Sequence, residues 1–186
     1  MTIIKPMALA LLLVAGAAQA VEVGGVRLPD EAKVDGQSLV LNGAGVRSKF
    51  FVKVYAGALY LPAKAGTTAA VLGQKGAKRI LMRFIHDEVE KTRLVEAWND
   101  GFAGNNSAAE LARLRERIAT FNSFFDTMRQ GEEIVLDLKA DGSTQVTVKG
   151  QLKGTIPGAD FQAALLKIWL GDKPADSGLK KGMLGQ

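Results

Sequence analysis

Cysteine is missing altogether, and histidine occurs once, at position 86. Without cysteine no disulfide can form even in an oxidising compartment, so the fold has to be held by its core. One histidine and no cysteine leave no ligand spacing for a metal, and neither a metal nor a cofactor is expected. Basic residues are scattered, never five in a row, and 24 of them stand against 19 acidic ones. Such weak basicity suits solubility or the attraction of small anions and is a poor signature of nucleic-acid binding. Internal repeats and low-complexity tracts are absent. Beyond the first twenty residues no apolar run approaches the roughly 20 residues that cross a bilayer.

Those first twenty residues read as a secretion signal rather than as structure. Lys5 supplies a thin positive region, residues 8–15 an apolar stretch, and Ala18-Gln19-Ala20 a small-x-small cleavage site. The competing reading is an uncleaved anchor, for which the apolar stretch is short. Cleavage after Ala20 leaves 21–186 as one domain, exported most simply to a bacterial periplasm, with no transmembrane segment. Losing Lys5 takes the basic count from 24 to 23, an excess of four over the 19 acidic residues. A chain of that length can build a sufficient core.

Apolar periodicity predicts strands over 21–28, 38–41, 50–61 and 79–85, with a loop and a helical turn over 62–73. In the fourth strand Ile80, Met82 and Phe84 face the core, and Arg79 and Arg83 share the other side. A helix over 89–102 carries Val95, Trp98 and Phe102 on one stripe. After the Gly104-Asn105-Asn106-Ser107 break, a helix over 108–128 presents Leu111, Leu114, Ile118, Phe121, Phe125 and Met128. Segments 132–138 and 143–149 alternate around the turn pair Asp141-Gly142, and 151–156 extends the run. Pro157-Gly158-Ala159-Asp160 opens a helix with Phe161, Leu165, Ile168 and Trp169 along one side; Gly171 stops it, and 179–184 forms a last turn. The pattern is an α+β domain, helices on one face of a largely antiparallel sheet.

Arg47 is the leading candidate for function. It follows Gly43-Ala44-Gly45, read as a turn, and leads into an unusually hydrophobic strand. A guanidinium at the mouth of an apolar pocket binds carboxylates, phenolates and enolates through charge-assisted bonds, whereas most arginines merely cover surface. The segment Gly43-Ala44-Gly45-Val46-Arg47, followed by Val54-Tyr55-Ala56-Gly57-Ala58-Leu59-Tyr60-Leu61, resembles the first hairpin of the chalcone isomerase family. Residues 161–174 with Leu179-Lys180 resemble that family's closing helix and tail. The resemblance implies a chalcone isomerase-like open-faced β-sandwich, a curved and mainly antiparallel sheet with helices on one face.

It also implies two chemistries. In the plant isomerases the arginine matching Arg47 holds the ionised phenol of a chalcone, which attacks the enone while hydroxyl groups and water stabilise the enolate. In the fatty-acid-binding members, an arginine and a tyrosine on this strand hold a ligand carboxylate. Here Tyr55 stands where the isomerases have a threonine. The stretch His86-Asp87-Glu88-Val89-Glu90-Lys91-Thr92-Arg93-Leu94-Val95-Glu96 lacks the tyrosine and asparagine that the enzymes place seven apart. The expectation is a module that binds a small amphipathic anion, a fatty or aromatic acid, in an apolar cleft with Arg47 and Tyr55 at its polar end. The alternative is an isomerase, an intramolecular lyase using Arg47 with Tyr55 as catalytic groups. A more remote one is an envelope interaction protein with a vestigial pocket.

Lesser candidates have plainer readings. Lys53 is a possible second cation or a snorkelling surface lysine. His86 is a possible base or a helix-start residue beside Asp87. Arg83 and Arg93 line the cleft or lie exposed, and Trp98, Phe102 and Trp169 are core or pocket wall. Gly43 and Gly45 resemble a fragment of a nucleotide loop, but the full G-x-G-x-x-G context and its helix are missing.

Overall fold

A computed structural model describes residues 20–186. The expected signal, apart from Ala20, lies outside the described residues. Gly24 and Gly25, with φ of +63° and +87°, reverse the chain where one strand was expected, giving a hairpin of β1 (Ala20–Val23) and β2 (Val26–Pro29). A second reversal at Asp35-Gly36 joins β3 (Glu31–Val34) to β4 (Gln37–Lys49).

The turn expected at Gly43-Ala44-Gly45 does not exist; these residues are the middle of β4. The chain reverses at Phe50-Phe51 instead, before β5 (Val52–Leu61). The glycines answer to packing. A Cβ on Gly43 would collide with the carbonyl oxygen of Gly182, and one on Gly45 would come within 3.1 Å of the Leu179 backbone. Both crowding residues belong to α5 (Ser177–Met183), which lies across β4. Asn42, extra in the β4–β5 register, ties this arrangement down: its amide donates to the Ala65 and Met183 carbonyls and accepts from Ala65 N–H.

After α1 (Thr68–Gly73) comes β6 (Lys78–Phe84), in which Ile80, Met82 and Phe84 are buried as expected. On the other side of this strand Arg79 and Arg83 stand opposite Asp137 and Glu133, and each arginine bonds its partner carboxylate. The chain then leaves the sheet through β7 (Glu88–Val89), α2 (Lys91–Asn105), α3 (Ala108–Ser123) and β8 (Met128–Arg129), with β7 and β8 paired at the base. It returns as β9 (Glu133–Leu138), β10 (Thr144–Val148) and β11 (Gln151–Ile156) before α4 (Ala159–Leu170) and α5. The result is a seven-stranded antiparallel sheet ordered β11-β10-β9-β6-β5-β4-β3.

Two helix readings shift. In α2 the buried stripe is Leu94, Trp98 and Phe102, and Val95 is only half-buried, because a four-residue step aligns the seam better than the expected mix. Helix α3 begins with a capping box between Ser107 and Glu110 and ends at Ser123, so Phe125 and Met128 reach the core from beyond it. The helix-side core centres on Trp98, Phe102, Phe121, Phe125, Phe161 and Trp169, whose rings meet mostly edge to face at 4.8–6.1 Å. Such pairs add about 0.5–1.5 kcal/mol each beyond area burial. A smaller apolar cluster on the sheet's other face, including Leu28, Leu39 and Tyr60, takes in residues of the β1–β2 hairpin.

Candidate functional site

A two-residue turn at Phe50-Phe51 would, in a regular ladder, set Arg47 against Val54. Instead the register runs Lys49 to Val52, Ser48 to Lys53, then Arg47 to Tyr55, with Val54 left over as a β-bulge. The extra residue puts Tyr55 directly across from Arg47, so both side chains occupy one face of the sheet. The Arg47 guanidinium carbon sits 5.8 Å from the centre of the Tyr55 ring, a cation–π contact. The bulged Val54 is not wasted: its carbonyl accepts from both Ile85 N–H and His86 N–H.

Tyr55 is buried at the end of this pair. Its hydroxyl accepts a 2.9 Å hydrogen bond from the indole N–H of Trp169 in α4. Among the described residues its own proton has no acceptor. Burial pushes the phenol up to about 12, only partly countered by the positive charge of Arg47, so it stays a neutral donor at physiological pH. Arg47 is half-buried and makes no salt bridge or hydrogen bond among the described residues. Asp176, whose charge is felt at Tyr55, spends one oxygen on Leu179 N–H, capping α5, and the other on Ser48 N–H.

Arg47 and Tyr55 line a narrow crevice of about 40 Å³ together with Val54, Met82, Phe84, Leu94 and Trp98. That is room for a water or a small polar head and no more. Trp98 contributes a third donor, since its buried indole N–H has no hydrogen-bond partner. The charged residues lining the crevice are Arg47 and Arg93, both cations. The crevice adjoins a wider open cleft of about 680 Å³, which shares Arg47, Val54, Val89, Arg93 and Ala97 and is rimmed by Phe50 and Val52. The space beneath the helices is therefore mostly aromatic core, and the roomy region, where Val52, Val54, Val89 and Ala97 stand among charged side chains that include Glu88 and Glu90, lies at the end of the sheet beside α2.

The structure brings Arg47 and Tyr55 together as expected and sorts the lesser candidates. Arg93 lines both spaces and bonds Glu96 at its exposed end. Arg83 is on the far side of the sheet, where it also donates to the Arg27 carbonyl. His86 is exposed on the wall of the outer cleft, and Lys53 is exposed on the projecting hairpin. Trp169 is core, reaching the site only through its bond to Tyr55. Two contributors were not legible as such in the sequence: the unpartnered Trp98 N–H, which looks like any core tryptophan at helical spacing, and Phe50 on the rim. The second left a signal, an aromatic pair flanked by Lys49 and Lys53. Among the described residues no group of three metal-ligating side chains occurs, and no helix is long and apolar enough to cross a membrane.

The family model described as chalcone isomerase-like matches residues 20–185. No curated protein sequence matches the chain. Among solved structures, the crystal structure of an Arabidopsis thaliana fatty-acid binding protein superimposes with a TM-score of 0.66 over 89% of this chain and 96% of that one, at 13% identity. At that identity the likeness concerns the fold: the curved antiparallel sheet with its helical excursion, as the α+β expectation had it.

Proposed function

This chain belongs to the chalcone isomerase-like family, and from that premise we propose that it binds a small amphipathic anion, a fatty or aromatic acid, with Arg47 and Tyr55 at the polar end of the cleft. One observation carries the reading. Four donor side chains line the crevice, those of Arg47, Arg93, Tyr55 and Trp98, the last with its indole N–H unpartnered, and no carboxylate lines it. A site of donors without acceptors is completed by an electron-rich group such as a carboxylate. Hydrogen bonds to a charged group contribute about 1.5–3 kcal/mol each, more than enough to set the preference for an anion. The crevice accepts the head, and the wider cleft along Val52, Val54, Val89 and Ala97 takes the apolar part. The similar plant protein's binding of fatty acids fits this reading.

Catalysis is the second reading, with Arg47 holding an oxyanion. The crevice supplies donors for a developing enolate, but residues 86–96 lack the tyrosine and asparagine that the isomerases place seven apart, which favours binding over turnover. We place the ligand encounter in the periplasm, after removal of residues 1–20.

The test is to purify the protein under mild conditions and identify co-purified organic acids by mass spectrometry. Recovery of an acid from the wild type and its absence from Arg47→Ala supports the proposal. Turnover of a chalcone by the wild type overturns it in favour of the isomerase, and equal recovery from both proteins removes Arg47 from the site.

A further inference from the structure

We propose that the tip of the β4–β5 hairpin docks on an anionic lipid surface, with Phe50 and Phe51 entering the headgroup region. The ribbon from Ser48 to Lys53 runs beyond the last β5–β6 pair, Tyr55 with Phe84, so it projects from the sheet as two strands alone. At its end Phe50 is 86% exposed and Phe51 fully so, while most other phenylalanines of the described residues are buried. Exposed apolar side chains grouped at a tip, unlike single ones scattered over a surface, mark an interaction site.

The backbone makes the choice of residue harder to dismiss. Phe50 and Phe51 have φ of +49° and +67°. This is the conformation of a tight hairpin turn that asparagine and glycine adopt readily and bulky side chains avoid. Two phenylalanines here work against the turn that holds them, and the folded protein gains no buried contact from them in return. Strain retained without a packing reward points to use elsewhere.

Charge selects the partner. Lys49, Lys53 and Arg47 flank the tip, Lys49 with its Nζ 6.0 Å from the Phe50 ring, and no acidic residue lies between 47 and 53. Of the acids near the tip, Asp176 accepts from Ser48 N–H, Glu88 is paired with Arg129, and Glu90 lines the cleft behind the turn. An apolar point ringed by cations matches a bilayer whose headgroups carry negative charge, aromatic side chains at the acyl boundary and lysines at the phosphates. The same tip rims the cleft through Phe50, so docking would set the mouth against the phase where amphipathic acids concentrate. The docking claim stands on the tip alone and does not depend on what the cleft holds.

Co-sedimentation with vesicles of phosphatidylglycerol and phosphatidylcholine, against phosphatidylcholine alone, tests it. The expected result is binding to the anionic vesicles that weakens with added salt, and much less to the neutral ones. The double substitution Phe50→Asn with Phe51→Gly supplies the residues that the turn prefers. It should fold with unchanged or higher thermal stability and bind vesicles at least about tenfold more weakly. Lys49→Gln should cost about fivefold. The proposal is overturned if the wild type ignores anionic vesicles or if the double variant binds them as well as the wild type does. It is equally overturned if the tip proves to drive only self-association of the chain, seen as a concentration-dependent dimer that the double variant lacks.

Discussion

The two ends of β5 are built to opposite rules. Toward Leu61 the strand disappears into a core where apolar side chains are fully buried, Asn42 beside it has all its bonds satisfied, and the glycines of β4 let α5 settle closely. Toward Val52 the same strand carries a bulge and a phenol with an unused proton, faced from β4 by an arginine that makes no ion pair among the described residues, and the turn beyond holds two phenylalanines in water. Stability and the proposed function thus occupy different stretches of one hairpin. What looks unfinished in this hairpin is concentrated at one end, where a ligand or surface can finish it.

That contrast sets the size of the responses to substitution. Phe121→Ala, in the middle of the aromatic cluster under the helices, should cost about 3–5 kcal/mol in urea unfolding, because the surrounding rings cannot close the cavity. Alkaline pH should come next. Both tyrosines of the molecule are held up near 12 by burial, against an ordinary 10. The unfolded chain therefore gives up its tyrosine protons before the folded one does. The stability they contribute is complete below pH 10 and is lost as the pH rises toward 12, on the order of 2–3 kcal/mol for Tyr55. Absorbance of the native protein near 295 nm should show no tyrosinate step around pH 10; a full step there would contradict the burial of both rings.

Tyr55→Phe should be milder, about 1–3 kcal/mol, since it leaves the Trp169 N–H buried without an acceptor. The smallest effect on stability should come from Arg47→Ala, within about 0.5 kcal/mol, because no ion pair is broken. A large destabilisation by Arg47→Ala would mean that this arginine belongs to the first region after all. The comparison is sharpest when thermal stability and acid binding are measured on the same two variants: Phe121→Ala should lose the first, Arg47→Ala the second.

How much of this was readable from residues alone divides along the same line. Periodicity found β6, the β9–β10 hairpin and the helices, because a buried stripe repeats and repetition is visible in a string. The pairing of Arg47 with Tyr55 followed from the family resemblance. The device that achieves it, a bulge at Val54, leaves no mark in composition. Gly43 and Gly45 misled, since glycine signals both turns and close packing, and only the place of α5 distinguishes the two. The true turn was hidden because Phe50-Phe51 breaks the residue preferences that make turns legible. The unpartnered Trp98 N–H depends on what surrounds a side chain in space, which one sequence does not encode locally.

The most direct test of the central claim, that Arg47 waits for a negative charge at the crevice, uses Trp98 and Trp169 as reporters. Intrinsic fluorescence is followed while a medium-chain fatty acid, or a simple aromatic acid, is added alongside its methyl ester. The account predicts a saturable change with the acid, at least about tenfold weaker response to the ester, and loss of the acid's advantage in Arg47→Ala. Equal affinity for acid and ester in the wild type, or an unchanged preference in the variant, would contradict it.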